Sequence, residues 1–199
     1  MGTKDFNALD LFICRWRSGI VRRSIRRDTQ VMDFGCGHQA LFLRGIAPEI
    51  KQGVGLDYDA APGRPVANLE IQNFHFKTRF EFPDRSFDHV TILAVLEHIP
   101  LDQVDVLFRE FRRILKPGGS VLLTTPTPAS KPVLEFLAFK LKIISAPEIA
   151  DHKHYWNRAD IEQLAARTGY RCAHYRTFQF GLNSFAALEP TAALSHAAG

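Results

Sequence analysis

From residue 30 onward the chain alternates short apolar runs with amphipathic stretches, and this alternation constrains its fold more than any other feature. Residues 31–34 predict a strand ending in a glycine turn, followed by a helix over 40–46. Residues 53–57 and 69–76 predict two more strands, and 88–95 is a nearly unbroken apolar run, as a strand covered on both faces should be. The next helix carries Val104, Leu107, Phe108, Phe111, Ile114 and Leu115 as its stripe, with Asp102 as its expected cap and Pro117-Gly118-Gly119 as its stop. A buried strand over 120–125 and a helix over 133–145 follow. Another helix over 159–168 is expected between an Asn157 cap and Gly169, and strands over 170–178 and 183–188 close the pattern. Repeated strand–helix units of this length predict an α/β fold: a doubly wound, mostly parallel sheet with helices on both faces.

The division expected is a basic amphipathic helix over 1–28, one catalytic domain over 29–190 with an insertion at about 126–157, and a frayed tail over 191–199. Phe6, Leu9, Phe12, Trp16 and Ile20 recur every three or four residues in the first segment. It lacks the apolar centre and cleavage site of a secretory signal, and Phe6 stands where a myristoylation signal wants Ser or Thr. Residues 1–30 hold seven basic and three acidic side chains, an excess equal to the +4 of all 199 residues, so the remainder balances. The body therefore has no basic footprint for nucleic acid. The first helix suits either a lid with solvated arginines or contact with an anionic membrane surface or lipid- or nucleotide-linked sugar. A hydrophobic share of 46% excludes wholesale disorder. Three scattered cysteines, Cys14, Cys36 and Cys172, exclude a disulfide framework and fit the cytoplasm.

The first strand ends in Asp33-Phe34-Gly35-Cys36-Gly37-His38-Gln39-Ala40, and Asp57 lies 20 residues beyond Gly37 at the end of the next strand. Glycines there let a nucleotide-type cofactor approach the backbone, and a carboxylate at the following strand end can take two ribose hydroxyls. The spacing alone also fits a nicotinamide dinucleotide. Asp33 separates the two, because a carboxylate beside the turn would repel a pyrophosphate and attract the ammonium and sulfonium of S-adenosylmethionine.

With Phe82-Pro-Asp-Arg-Ser-Phe-Asp88, Leu96-Glu97-His98-Ile99 and Leu115-Lys116-Pro117-Gly118-Gly119 added in order, the chain resembles the class I S-adenosylmethionine-dependent methyltransferases over about residues 28–185. The resemblance implies a seven-stranded sheet with the last strand antiparallel and S-adenosylmethionine as cofactor. It implies that Asp33, Gly35, Cys36 and Gly37 form the cofactor turn, that Asp57 binds the ribose, that Tyr58 stacks beside the adenine, and that Leu96 and Glu97 line the cofactor side. The stretch Phe76-Lys77-Thr78-Arg79 lacks the acidic residue that often contacts the adenine amino group in relatives.

A sulfonium methyl is already activated, so such an enzyme aligns a nucleophile and excludes water; a hydroxyl acceptor also needs a base. His98, at a central strand end, and His152 and His154, in the insertion, are the candidates. Asp151-His152-Lys153-His154 offers carboxylate and imidazole ligands, but nothing near it in sequence completes a coordination sphere, so no metal is expected. Some quinone-type methyltransferases resembling the Leu-Glu-His stretch use such groups for metal; Ala94 stands where they would need another carboxylate. The function expected is methyl transfer to a small acceptor, sugar- or lipid-linked types included, at a hydroxyl. A nicotinamide-dependent oxidoreductase and a non-catalytic cofactor-binding protein are the alternatives.

Overall fold

The computed structural model describes residues 8–140 and 150–191. Phe6, the predicted helix beyond residue 140 and the tail beyond 191 lie outside those residues, and for Leu9 and Phe12 only the backbone is described. Seven strands form one sheet: β1 (Gln30–Phe34), β2 (Gln52–Asp57), β3 (Leu69–Asn73), β4 (Phe87–Leu93), β5 (Leu115–Pro126), β6 (Tyr170–Phe178) and β7 (Asn183–Pro190). Their order is β3-β2-β1-β4-β5-β7-β6. The first five pair in parallel, and β7 runs antiparallel to both of its neighbours, β5 and β6. The expected doubly wound sheet with its last strand reversed is the observed one.

Helices α1 (Ala8–Arg22), α2 (Leu41–Ile46), α3 (Leu101–Ile114), α4 (Lys131–Glu135) and α5 (Arg158–Thr168) complete the framework. Two apolar clusters bury the two faces of the sheet. One gathers the α3 and α5 stripes, including Val104, Phe108, Phe111 and Leu164, with a stack of phenylalanines around Phe80. The other joins Ile20 and Val21 of α1 with Phe42, Leu43 and Ile46 of α2. A sheet covered on both faces accounts for the unbroken apolar runs in β4 and β5.

Several boundaries differ from the sequence reading: β3 ends at Asn73 instead of 76, β4 at Leu93 instead of 95, and β5 begins at Leu115 instead of 120. Pro100, not Asp102, occupies the cap position of α3 and makes no side-chain cap bond. Its fixed φ of −55° sets the entry to the helix, and Asp102 falls in the first turn, where an acidic group suits the helix dipole. α3 then stops at Ile114, short of the Pro-Gly-Gly run, because Leu115 already pairs with Phe87; the register slips before His89 meets Ser120. At α5 the expectation holds: Asn157 Oδ1 accepts from the Asp160 N–H, Asp160 answers at the Asn157 N–H, and Gly169 closes the helix at φ 82°. Of the helix expected over 133–145, the described part is α4 followed by a π turn over Phe136–Lys140. No helix among the described residues is long and apolar enough to cross a membrane.

Candidate active site

The carboxyl ends of β1, β2 and β4 converge where an open α/β sheet binds its ligands. The chain leaves β1 through Gly35 and Gly37, both at positive φ, and a Cβ on Gly35 would sit 2.3 Å from Val95 Cγ2. Gly37 donates its N–H to Asp57 Oδ2 at 2.9 Å, and Asp59 donates to Oδ1 at 2.8 Å. His38 Nδ1 meets the Asp59 carbonyl at 2.9 Å, which ties the turn to the loop after β2. Each Asp57 oxygen keeps a second lone pair, so the carboxylate can still accept two hydroxyls.

A pocket of about 160 Å³ opens beside this turn, lined by Phe34, Gly35, Leu56, Asp57, Tyr58, Phe74, Phe76, Val95, Ile99, Gln103 and Leu107. It has an apolar aromatic wall and a carboxylate acceptor at one end, which suit an adenine ring and its ribose hydroxyls. Gly35, Asp57 and Tyr58, three of the expected cofactor residues, all line this pocket. Phe74, Phe76 and Gln103 were missed; their only signal was the aromatic alternation in Phe74-His75-Phe76, directly after β3.

Other expected cofactor residues sit differently. Asp33 lies opposite Thr91 in the parallel register, is 2% exposed and accepts from Thr91 Oγ1 at 2.6 Å. It supports the turn from beneath rather than lining the pocket. Burial pushes its carboxyl up to about 7, against the Thr91 hydrogen bond and with a contribution from nearby Asp57. Cys36 packs its thiol over Gly55, and burial pushes its pKa well up, so it stays a protonated filler behind the turn. Leu96 is fully buried in the core, and Glu97 turns toward Thr125, whose Oγ1 lies 3.2 Å from Glu97 Oε2. Val95 and Ile99 take the pocket positions expected for those two residues. The cause is Ala94, held at φ 55°, which breaks the strand alternation before the short helical turn Leu96–His98.

The histidines separate. The Lys153 N–H donates to the Glu97 carbonyl at 2.7 Å and pins the insertion to the turn after β4. His98 and His152 then meet edge to face with ring centres 4.8 Å apart. Asp151 Oδ2 lies 3.2 Å from His98 Nδ1, and Asp151 Oδ1 pairs with Lys153 Nζ at 2.7 Å. Lys153, ahead of His98, holds the Asp151 carboxyl below its ordinary range. Burial, helped by the neighbouring His98, lowers His152 to about 4, so its ring is neutral near pH 7. His154 instead faces Asp160 at 3.3 Å and packs on Trp156, within the N-terminal cap of α5. The Asp151-His152-x-His154 spacing therefore builds no common site. Glu97, His98 and His152 do come together, with ligand atoms within 4.8 Å of one another, a grouping that sequence spacing did not reveal.

A doubly wound sheet with a glycine turn, a strand-end carboxylate and an aromatic pocket defines a nucleotide-cofactor enzyme domain of the class I methyltransferase type. Residues 9–175 match the methyltransferase domain family, and the chain belongs to it, with S-adenosylmethionine as the methyl donor. A demethylmenaquinone methyltransferase of Geobacillus stearothermophilus is 30% identical over 128 residues, covering 57% of this chain and 53% of the relative. One from Listeria monocytogenes is 33% identical over 119 residues, with 54% and 49% covered. The chain thus spans about half the length of the curated relatives it matches. Among solved structures, a putative methyltransferase in complex with the Trm112 activator of Haloferax volcanii is similar in fold, with TM-score 0.72, 15% identity and 92% of each chain covered. The calicheamicin methyltransferase CalO1, bound to S-adenosylhomocysteine, gives TM-score 0.69 at 16% identity, covering 92% of this chain and 55% of that one.

Proposed function

We propose that the protein methylates a hydroxyl of a small acceptor, with His98 as the base. S-adenosylmethionine, when bound, supplies an electrophilic methyl group that needs no further activation. Gly35 and Asp57 hold the nucleotide part, and the aromatic wall of the pocket excludes water around it. The observation that carries the reading is the Asp151–His98 contact. An ionised Asp151 accepts from His98 Nδ1–H, which leaves the lone pair of Nε2 to take the acceptor's proton. His152, neutral by burial, packs against that ring and limits its motion.

The same cluster suits proton transfer better than a metal ion. Lys153 already offsets Asp151, and the charge of Arg17 reaches Glu97, so a divalent cation would meet two fixed positive groups. Balanced charge over the body favours a small acceptor over nucleic acid, and the named activity of the bacterial relatives, on demethylmenaquinone, supports that class. Three free thiols favour a reducing cytoplasm.

Methyl transfer from S-adenosylmethionine across a panel of hydroxylated acceptors tests the reading. His98→Ala should cut turnover by roughly 10²–10⁴ while S-adenosylhomocysteine affinity holds, and His154→Ala should leave turnover within a few-fold. Turnover that survives His98→Ala, or a wild type that binds cofactor and methylates nothing, would remove the histidine-base reading.

A further inference from the structure

Arginines on an amphipathic surface helix are expected in solvent, and Arg17 is only partly so. α1 packs against β5 with Ile20 and Val21 in the core, and Gln179 Nε2 holds the Ile13 carbonyl at 3.4 Å. Arg17 precedes Val21 by one helical turn and so faces inward with it. Its Nε is buried and has no hydrogen-bond partner, and among the described residues its guanidinium forms no ion pair. Burial lowers its pKa, and the opposing charge of Glu97 is the main influence that raises it. Glu97 is itself 1% exposed and receives one side-chain hydrogen bond, from Thr125.

A guanidinium carries five donors, and folded proteins rarely leave a buried one, here the Nε–H, unbonded. Here a half-buried cation, its Nε sealed from solvent, and a buried carboxylate influence each other without a hydrogen bond between them. Such an arrangement is completed by a ligand that accepts from one group and donates to the other. Glu97 belongs to the same cluster as His98 and His152, so that ligand would lie on the acceptor side of the site.

We propose that Arg17 recognises an anionic group, carboxylate or phosphoryl, on the methyl acceptor, and thereby places the acceptor's hydroxyl toward Glu97 and His98. A planar fork of donors matches either anion with two parallel bonds, which fixes orientation as well as charge. The acceptor is then a hydroxylated acid or a phosphorylated hydroxy compound, and α1 is a specificity element. The role of the anion rests on the methyltransferase reading; its binding does not.

The test follows the arginine Nε–H resonances of the ¹⁵N-labelled full chain during titration with sodium acetate or sodium phosphate at constant ionic strength. Both titrations are run with and without S-adenosylhomocysteine. The resonance missing from Arg17→Lys identifies Arg17. It should shift saturably, and the anion with the lower midpoint identifies the group recognised. Arg17→Lys should weaken that binding at least about tenfold, as loss of the two-pronged donor fork implies, whereas Arg23→Lys, at an exposed position just after α1, should leave it unchanged. An Arg17 resonance that stays still throughout, or an equal midpoint in Arg17→Lys, overturns the proposal; should that variant not fold, the wild-type resonance decides alone. Anion binding without any S-adenosylhomocysteine binding would overturn the methyltransferase reading instead.

Discussion

Asp33 shows how a single buried carboxyl links the cofactor turn to pH. Its pKa is pushed up from the ordinary 3.8 to about 7, so between those values the folded state holds a proton that the unfolded chain has released. Stability should therefore fall as pH rises through that window, by up to about 4 kcal/mol from this group, and level off above it. Urea denaturation across the window should show a shallower fall in Asp33→Asn; the same slope in both proteins would contradict the burial account. Gly35 makes a steric prediction. Its φ of +75° disfavours any Cβ, and an added one would collide with Val95. Gly35→Ala should cost about 2–4 kcal/mol, and adding Val95→Ala should recover part of that, measured as a coupling in a double-mutant cycle. Strictly additive losses would show that the clash is relieved elsewhere. Gly35, Gly37 and Asp57 were legible because their spacing encodes a backbone geometry. Val95 and Ile99 were not, since the left-handed Ala94 decides which side chains after β4 face the pocket, and nothing in Leu-Ala-Val-Leu announces it; Phe74 and Gln103 reach the pocket from the end of β3 and from α3, which only the tertiary packing brings together.

Among the elements, α5 is specified most locally. Its capping box and Gly169 terminus lie within the segment itself, which is why the sequence located both ends. Asn157→Ala should destabilise the protein by about 1 kcal/mol in denaturant melts without altering turnover. A loss of turnover instead would mean that the cap positions the segment carrying the proposed base cluster, through His154 on Asp160. The start of β5 was harder to read, because Leu115 is recruited by its partner Phe87 and not by its neighbours in sequence. α1 was recognised as amphipathic, but its charges were averaged over the segment. The structure spends them unequally: Arg22 pairs with Glu49, Arg26 donates to the Gly118 carbonyl, Arg17 turns inward, and Arg15, Arg23 and Arg27 stay exposed. An anionic surface would meet fewer free cations than the sequence count suggests.

At the scale of the whole molecule, strand order, the two apolar clusters and the cofactor pocket make one consistent argument. Six strands run one way, the final one returns between β5 and β6, and the glycine turn opens at the carboxyl ends of the parallel strands. The mostly parallel sheet followed from periodicity and the glycine turn from its motif, whereas the reversed last strand was implied only by the family resemblance. The meeting of Glu97, His98 and His152 followed from none of these, because it depends on one backbone bond between Lys153 and Glu97 that joins segments far apart in sequence. The central claim, that the pocket takes S-adenosylmethionine and not a dinucleotide, is tested most directly by calorimetric titration of the full chain with S-adenosylhomocysteine and, separately, with NAD. Saturable one-to-one binding of S-adenosylhomocysteine is predicted, weakened in Asp57→Ala by about 1.5–3 kcal/mol, the worth of a charge-assisted hydrogen bond, with no heat from NAD. Binding of NAD with none of S-adenosylhomocysteine, or an affinity for S-adenosylhomocysteine untouched in a folded Asp57→Ala, would contradict it.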